Sequence, residues 1–128
     1  MRETLLEIKD LKKIYPLRLS GRGWFGKKER MCAVDHLSMT IEKGETYGLV
    51  GESGCGKSTT GRAIVGLSPA DSGSILYEGK DLCKMKEREM RSLRGELQMV
   101  FQNSLSALNP RLRIGEILEE ILKIHGVT

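Results

Sequence analysis

Apolar and polar residues alternate with a period of two in three stretches of the chain. Leu6 and Ile8 alternate with Glu7 and Lys9 between Thr4 and Leu11, and Leu37, Met39 and Ile41 repeat the pattern. This period sends one side of the backbone to a core and the other to water, so it predicts half-buried strands. Ile14-Tyr15-Pro16 closes the first, and Glu42-Lys43-Gly44 turns the chain after the second. Ile75 and Tyr77 alternate again before Glu78-Gly79-Lys80, which predicts a hairpin over Gly73 to Leu82. Two further stretches are mostly apolar, Thr46-Tyr47-Gly48-Leu49-Val50 and Gln98-Met99-Val100-Phe101, and read as buried strands.

The period lengthens elsewhere. Ala63, Ile64 and Leu67 mark a helix that follows Lys57 and stops before Pro69. Glu87 to Leu93 reads as a short charged helix. Ile117, Leu118, Ile121, Leu122 and Ile124 form a helical stripe from Ile114 onward, closed by Gly126. Residues 17–31 are rich in glycine and basic side chains and read as an extended hairpin or mobile loop. No internal repeat is present. The order is β-rich at first, then α/β around a glycine loop.

That loop carries the chemistry. Gly51-Glu52-Ser53-Gly54-Cys55-Gly56-Lys57-Ser58 matches G-x-x-x-x-G-K-[ST], the phosphate-binding P-loop, and sits between an apolar run and a helix as that motif requires. Glycines let the backbone curl until its N–H groups face phosphate oxygens. Lys57 reaches the β- and γ-phosphates, and the Ser58 hydroxyl suits Mg²⁺. A helix opening at Lys57 adds the positive end of its dipole to the same place. The ligand class that follows is a nucleoside triphosphate. Cys55 is either an oxidisable thiol within an anion-binding loop or simply a small residue in a tight turn.

Composition narrows the setting. The chain has 128 residues, 39% hydrophobic and 30% charged, which suits one globular domain. No apolar run approaches a membrane span and no signal peptide is visible. Cys32, Cys55 and Cys83 have no metal-ligand spacing and no disulfide framework, as expected of a reducing compartment. His36 and His125 are isolated. The net charge of +4 is concentrated at Arg18, Arg22, Lys27, Lys28 and Arg30, and at Lys84, Lys86, Arg88, Arg91 and Arg94. These read first as solvated surface, with acidic headgroups or a partner subunit as alternatives. No nucleic-acid motif accompanies them, so no nucleic acid is expected as a partner.

With these residues in view, the chain resembles the ATP-binding subunits of ABC transporters. The resemblance rests on Ala33-Val34-Asp35, Ile41-Glu42-Lys43-Gly44-Glu45-Thr46 and the run from Gly51 to Arg62. Val100-Phe101-Gln102, Ser106-Ala107-Leu108-Asn109-Pro110-Arg111 and Gly115-Glu116-Ile117 narrow it to the oligopeptide/dipeptide importer branch. The basic insertion before Ala33 and the sequence Ser58-Thr59-Thr60-Gly61-Arg62 are similar to the second of that branch's paired ATPases. The resemblance extends from about Leu5 to Gly126.

It implies a fold and a set of roles. The fold is the N-terminal part of a P-loop ABC ATPase domain: an antiparallel β subdomain, an incomplete P-loop core and the start of a helical subdomain. Residues 1–101 would hold the β subdomain and core, and 102–128 the Q-loop and the first part of the helical subdomain. Tyr15 would stack on adenine, Val34 would lie against adenine or ribose, and Gly51 to Gly56 would cradle phosphates. Lys57 would neutralise charge, Ser58 would ligate Mg²⁺, Thr59 would bond the α-phosphate, and Gln102 would contact Mg²⁺ and the attacking water. A neutral amide suits that last role because it can coordinate a metal and bond water without adding charge. Implied partners are a second ABC ATPase subunit and transmembrane permease subunits met through the Q-loop region, at the cytoplasmic face of a membrane. Direct cargo contact is not implied, so nickel and glutathione import stay open beside peptide import.

Two departures qualify the implication. Asn103-Ser104-Leu105 follows Gln102 where the branch commonly has Asp-Pro and an aromatic residue. The signature beginning Leu-Ser-Gly-Gly, an apolar run ending in Asp-Glu, and a switch histidine in its context do not occur in these residues. The expectation is an N-terminal portion that binds nucleotide weakly and turns it over negligibly alone. The alternative expectation is a truncated or split-gene product that binds nucleotide or partner subunits without chemistry.

Overall fold

The computed structural model describes residues 3–17 and 29–127. Two 14-residue strands, β1 (Thr4–Leu17) and β2 (Glu29–Glu42), pair antiparallel along most of their length. β3 (Ser72–Tyr77) pairs with the other edge of β1, and the two-residue β4 (Lys80–Asp81) closes the sheet in the order β2-β1-β3-β4. All the pairings are antiparallel. β1 does not stop at Tyr15 as its sequence suggests. The ladder continues through Tyr15–Met31, Pro16–Arg30 and Leu17–Glu29. Pro16 is tolerated because β3 pairs with β1 only as far as Lys12, leaving an edge with no donor required. The arms of the predicted 17–31 hairpin are thus in place, while its residues 18–28 lie outside the described residues.

The register of β1 is irregular at several points, and the break between Ile8 and Leu11 keeps the core continuous. Leu6 and Ile8 face inward, and the next inward residue is Leu11 rather than residue 10. Asp10 takes a left-handed φ of 52° at a break in register, with its N–H donated to Ser38 Oγ at 2.9 Å. One extra residue in a strand flips the faces, so the bulge returns Leu11 to the inner side. Gly73 is obligatory opposite it, since a Cβ there would lie 2.4 Å from the Asp10 carbonyl oxygen.

Ile8, Leu11 and Ile75 are the most deeply buried side chains, joined by Leu6, Val34, Ala63, Tyr77, Leu82, Met90 and Leu93. Each of the large ones contributes about 1.5–3 kcal/mol by leaving water. The predicted hairpin at Glu78-Gly79 is present. Both residues have positive φ, 46° and 78°, the geometry of a tight turn between right-twisted strands.

Helix α1 (Lys57–Ile64) is shorter than its apolar pattern. Gly66 at φ 72° ends it, with Gly66 N–H donating to Ala63 O and Leu67 N–H to Arg62 O, so the last carbonyls are satisfied before Pro69. α2 (Glu87–Leu93) places Met90 and Leu93 in the core. A single-turn α3 (Ser104–Ala107), not foreseen from the sequence, precedes α4 (Ile114–Ile124). The predicted α4 stripe is present as a helix, yet none of its residues is buried.

Two expectations fail. Residues 46–50 and 98–101 are not strands, and they are not buried: Val50 and Val100 are each 93% exposed. Apolar composition states that a segment needs cover, whereas a strand also needs a neighbour to pair with. The single sheet among the described residues ends at β2 and β4, and neither segment pairs with these edge strands.

Candidate functional site

The glycine loop lies against β2. Gly54 and Gly56 adopt φ of 84° and 95°, a region that L side chains avoid. Gly56 has a second constraint, because a Cβ on it would sit 2.1 Å from the Ala33 carbonyl oxygen and 3.3 Å from Val34 Cγ2. The loop therefore seats itself on the backbone of β2, and that contact brings Val34 to the phosphate loop. Val34, Leu49, Val50, Cys55, Gly56, Lys57 and Thr60 line one cavity of about 310 Å³.

α1 opens directly from the loop. Thr60 is buried, and both its N–H and its hydroxyl donate to Gly56 O, at 2.9 and 3.0 Å. The Lys57 ammonium folds back along the loop, donating to Gly51 O at 2.7 Å and Glu52 O at 2.5 Å, with Cys55 Sγ at 3.4 Å. These bonds hold the ammonium over the loop. Three donors on a flexible stem allow it to exchange carbonyls for phosphate oxygens without leaving the loop. Cys55 is exposed and meets that same ammonium.

A second cleft, about 570 Å³, opens on the other side of α1. Ser58, Arg62, Met99, Phe101, Gln102, Asn103 and Ala107 line it. The sequence places Ser58 and Gln102 44 residues apart, and the fold brings them to one cleft. Arg62, which sequence reasoning passed over, stands one helical turn beyond Ser58 on the same face of α1. Its signal was the i, i+4 spacing from the motif serine. Gly51, Glu52, Ser53 and Gly54 are exposed along the loop, and Thr59 is half-buried on α1.

Tyr15 lines neither cleft. Its hydroxyl lies 3.1 Å from Ser68 Oγ, and the Lys13 ammonium stands 5.4 Å from its ring centroid. Lys13 in turn donates to Pro69 O at 2.6 Å and pairs with Asp71 at 3.3 Å. Asp71 also accepts from the Ile14 N–H, and that bond, ahead of the Lys13 charge, holds its carboxyl below the usual aspartate range.

The donors present suit a magnesium nucleoside triphosphate. Backbone N–H groups at left-handed glycines and the N-terminus of an eight-residue helix favour phosphate. Ser58 and Gln102 supply two neutral oxygens, in keeping with Mg²⁺, which takes few protein ligands and keeps water and phosphate oxygens. Among the described residues no cluster of three or more His, Cys, Asp or Glu is arranged to hold a metal. None of their helices is long and apolar enough to cross a membrane.

Comparison with known proteins agrees with this geometry. Residues 34–125 match the ABC transporter family. The oligopeptide transport ATP-binding protein OppF of Salmonella typhimurium is 47% identical over 97% of this chain, which covers 37% of that relative. The dipeptide transport ATP-binding protein DppF of Escherichia coli is 41% identical over 98% of the chain and 36% of its own length. The chain thus spans a little over a third of the curated relatives it matches. A nucleotide-free ATP-binding cassette from an ABC transporter superposes with a TM-score of 0.52 at 27% identity, over 70% of this chain and 30% of its own. The cassette MJ0796, in a dimeric post-hydrolysis state bound to ADP and Pi, shares the fold with a TM-score of 0.59 at 23% identity, over 70% and 35%. The match over residues 34–125 places this chain in the ABC transporter family, and the glycine loop seated on β2 is in keeping with it.

Proposed function

We propose that this chain is the triphosphate-binding portion of an ABC transporter ATP-binding subunit serving oligopeptide or dipeptide import. The observation that supports it most is the meeting of Ser58 and Gln102 in one cleft beside the P-loop. Mg²⁺ bound there supplies charge neutralisation for the phosphates.

The chain's own residues divide the work. N–H groups from Gly51 to Gly56 bind phosphate oxygens, with Glu52, Ser53, Gly54 and Cys55 contributing backbone rather than side chains. Lys57 exchanges its loop carbonyls for the β- and γ-phosphates. Thr59 bonds the α-phosphate, Ser58 and Gln102 hold the metal's side of the triphosphate, Val34 lies against the adenine or ribose, and Tyr15 stacks on adenine. Residues 1–101 form the β subdomain and phosphate core, and 102–128 the Q-loop and the first helical part.

Phosphoryl transfer to water needs a positioned carboxylate besides these groups. None of the groups assigned above is a carboxylate placed for that step, so on their own they bind the triphosphate without turning it over. In a transporter it would work beside a second ATPase subunit and against permease subunits reached near Gln102, as a peripheral protein on the cytoplasmic face. Resemblance to OppF and DppF supports peptide cargo. An ATPase assay of the purified chain tests the division: steady hydrolysis abolished by Lys57→Ala would contradict binding without turnover.

A further inference from the structure

The sequence singles out Tyr15 alone, yet the structure surrounds it with a built support. Lys13, with its side chain only 12% exposed, stands over the ring and is fixed by the Pro69 carbonyl and the Asp71 carboxylate. Ser68 meets the Tyr15 hydroxyl at 3.1 Å. Ser68 is itself held to the end of α1, its N–H donating to Arg62 O at 3.2 Å. Asp71 is tied to β1 twice more, through the Ile14 N–H at 2.7 Å and the Lys12 carbonyl at 2.9 Å. Helix α1, about 12 Å long, therefore carries the phosphate loop at its start and the tyrosine's support toward its end. Lys13 is also the cross-strand partner of Val34, which lines the loop's cavity.

We propose that Ser68 and Lys13 are positioning residues that hold the Tyr15 ring at a fixed angle for a nucleobase, and that α1 sets its distance from the phosphate site. This rests on the nucleotide reading above and deepens it. A cation on one ring face leaves the opposite face for a planar base. An ammonium with a carbonyl, a carboxylate and a ring as neighbours cannot swing away to free a different rotamer of Tyr15. The hydroxyl contact removes the remaining rotation about the strand, so stacking needs no ordering of the ring at the moment of binding.

The test compares two probes on the whole 128-residue chain by calorimetry: Mg·ATP, and Mg·tripolyphosphate, which has no base. Tyr15→Ala should weaken Mg·ATP by roughly tenfold or more, the size of a lost base–aromatic stack. Tyr15→Phe and Ser68→Ala should each weaken it about threefold, and the double variant no further than either alone, because both remove one contact. Lys13→Met should act in the same direction. All four should leave tripolyphosphate within about twofold of the parent, which also reports that the loop is intact. Equal weakening of both probes, or no change with ATP, overturns the positioning role. If the parent binds tripolyphosphate as tightly as ATP, the base-positioning proposal fails while the phosphate reading stands. If it binds neither, both fail.

Discussion

Gly56 rests on the carbonyl of Ala33 so closely that a single added methyl would stand 2.1 Å from the oxygen. The contact joins the phosphate loop to the antiparallel sheet, and it explains why the last motif glycine is needed even before a ligand is considered. Gly56→Ala combines left-handed strain with a backbone clash and should cost about 2–4 kcal/mol. Gly79→Ala is the comparison, since Gly79 has φ 78° with nothing near its missing Cβ and should cost about 1 kcal/mol. Urea unfolding of the two variants measures the difference. Equal losses would mean that the Ala33 contact contributes nothing.

Val50 and Val100 should be almost indifferent to substitution. Each is 93% exposed, so Val50→Ser or Val100→Ser should change stability by less than about 0.5 kcal/mol. Ile8→Ala removes a side chain that is 1% exposed and should cost about 2–5 kcal/mol. The same serine substitutions should raise soluble yield, because exposed apolar segments promote association. A loss at Val50 comparable to that at Ile8 would show that residue 50 is covered in solution.

Acid should loosen the join between β1 and the end of α1. The Ile14 N–H and then Lys13 hold the Asp71 carboxyl below its ordinary range, and the Lys12 ammonium holds that of Asp35 below it too. A carboxylate with a depressed folded value stabilises the fold above its unfolded value, and that contribution is lost as pH falls through the folded value. Stability should therefore decline below about pH 4. Asp71→Asn should make the acid limb shallower in urea titrations between pH 2 and 6. An unchanged limb would remove Asp71 from the account.

Much of this was legible in the residues themselves. Period-two alternation gave β1, β2 and the Glu78-Gly79 hairpin, and the glycine spacing gave a loop whose Gly54 and Gly56 are left-handed. Local signals of this kind survive because backbone geometry enforces them residue by residue. The runs at 46–50 and 98–101 misled, since apolar composition carries no information on which surface provides cover. The Asp10 bulge was invisible because the helpful residue, Ser38, lies 28 positions away in the chain. The support around Tyr15 was invisible for the same reason, with Ser68 53 positions distant. The cleft that Ser58 and Gln102 both line could not be read from local pattern, since it depends on Met99 packing against α1, where its Cε lies 3.6 Å from the missing Cβ of Gly61.

Lys57 separates ligand binding from folding. Its bonds to Gly51 O and Glu52 O lie at the surface, so Lys57→Ala should lower stability by only about 1 kcal/mol. The same change removes the cation facing the phosphates and should weaken triphosphate binding by more than tenfold. Stability and affinity measured on one preparation check this. Parallel loss of both would reduce Lys57 to a structural role.

Whether the chain binds a magnesium nucleoside triphosphate at this loop is decided by calorimetric titration of the purified chain with ATP, in the presence and absence of Mg²⁺. The expected result is one site per chain, tighter with Mg²⁺, and lost in Lys57→Ala. No binding, or binding that survives Lys57→Ala unchanged, would contradict it.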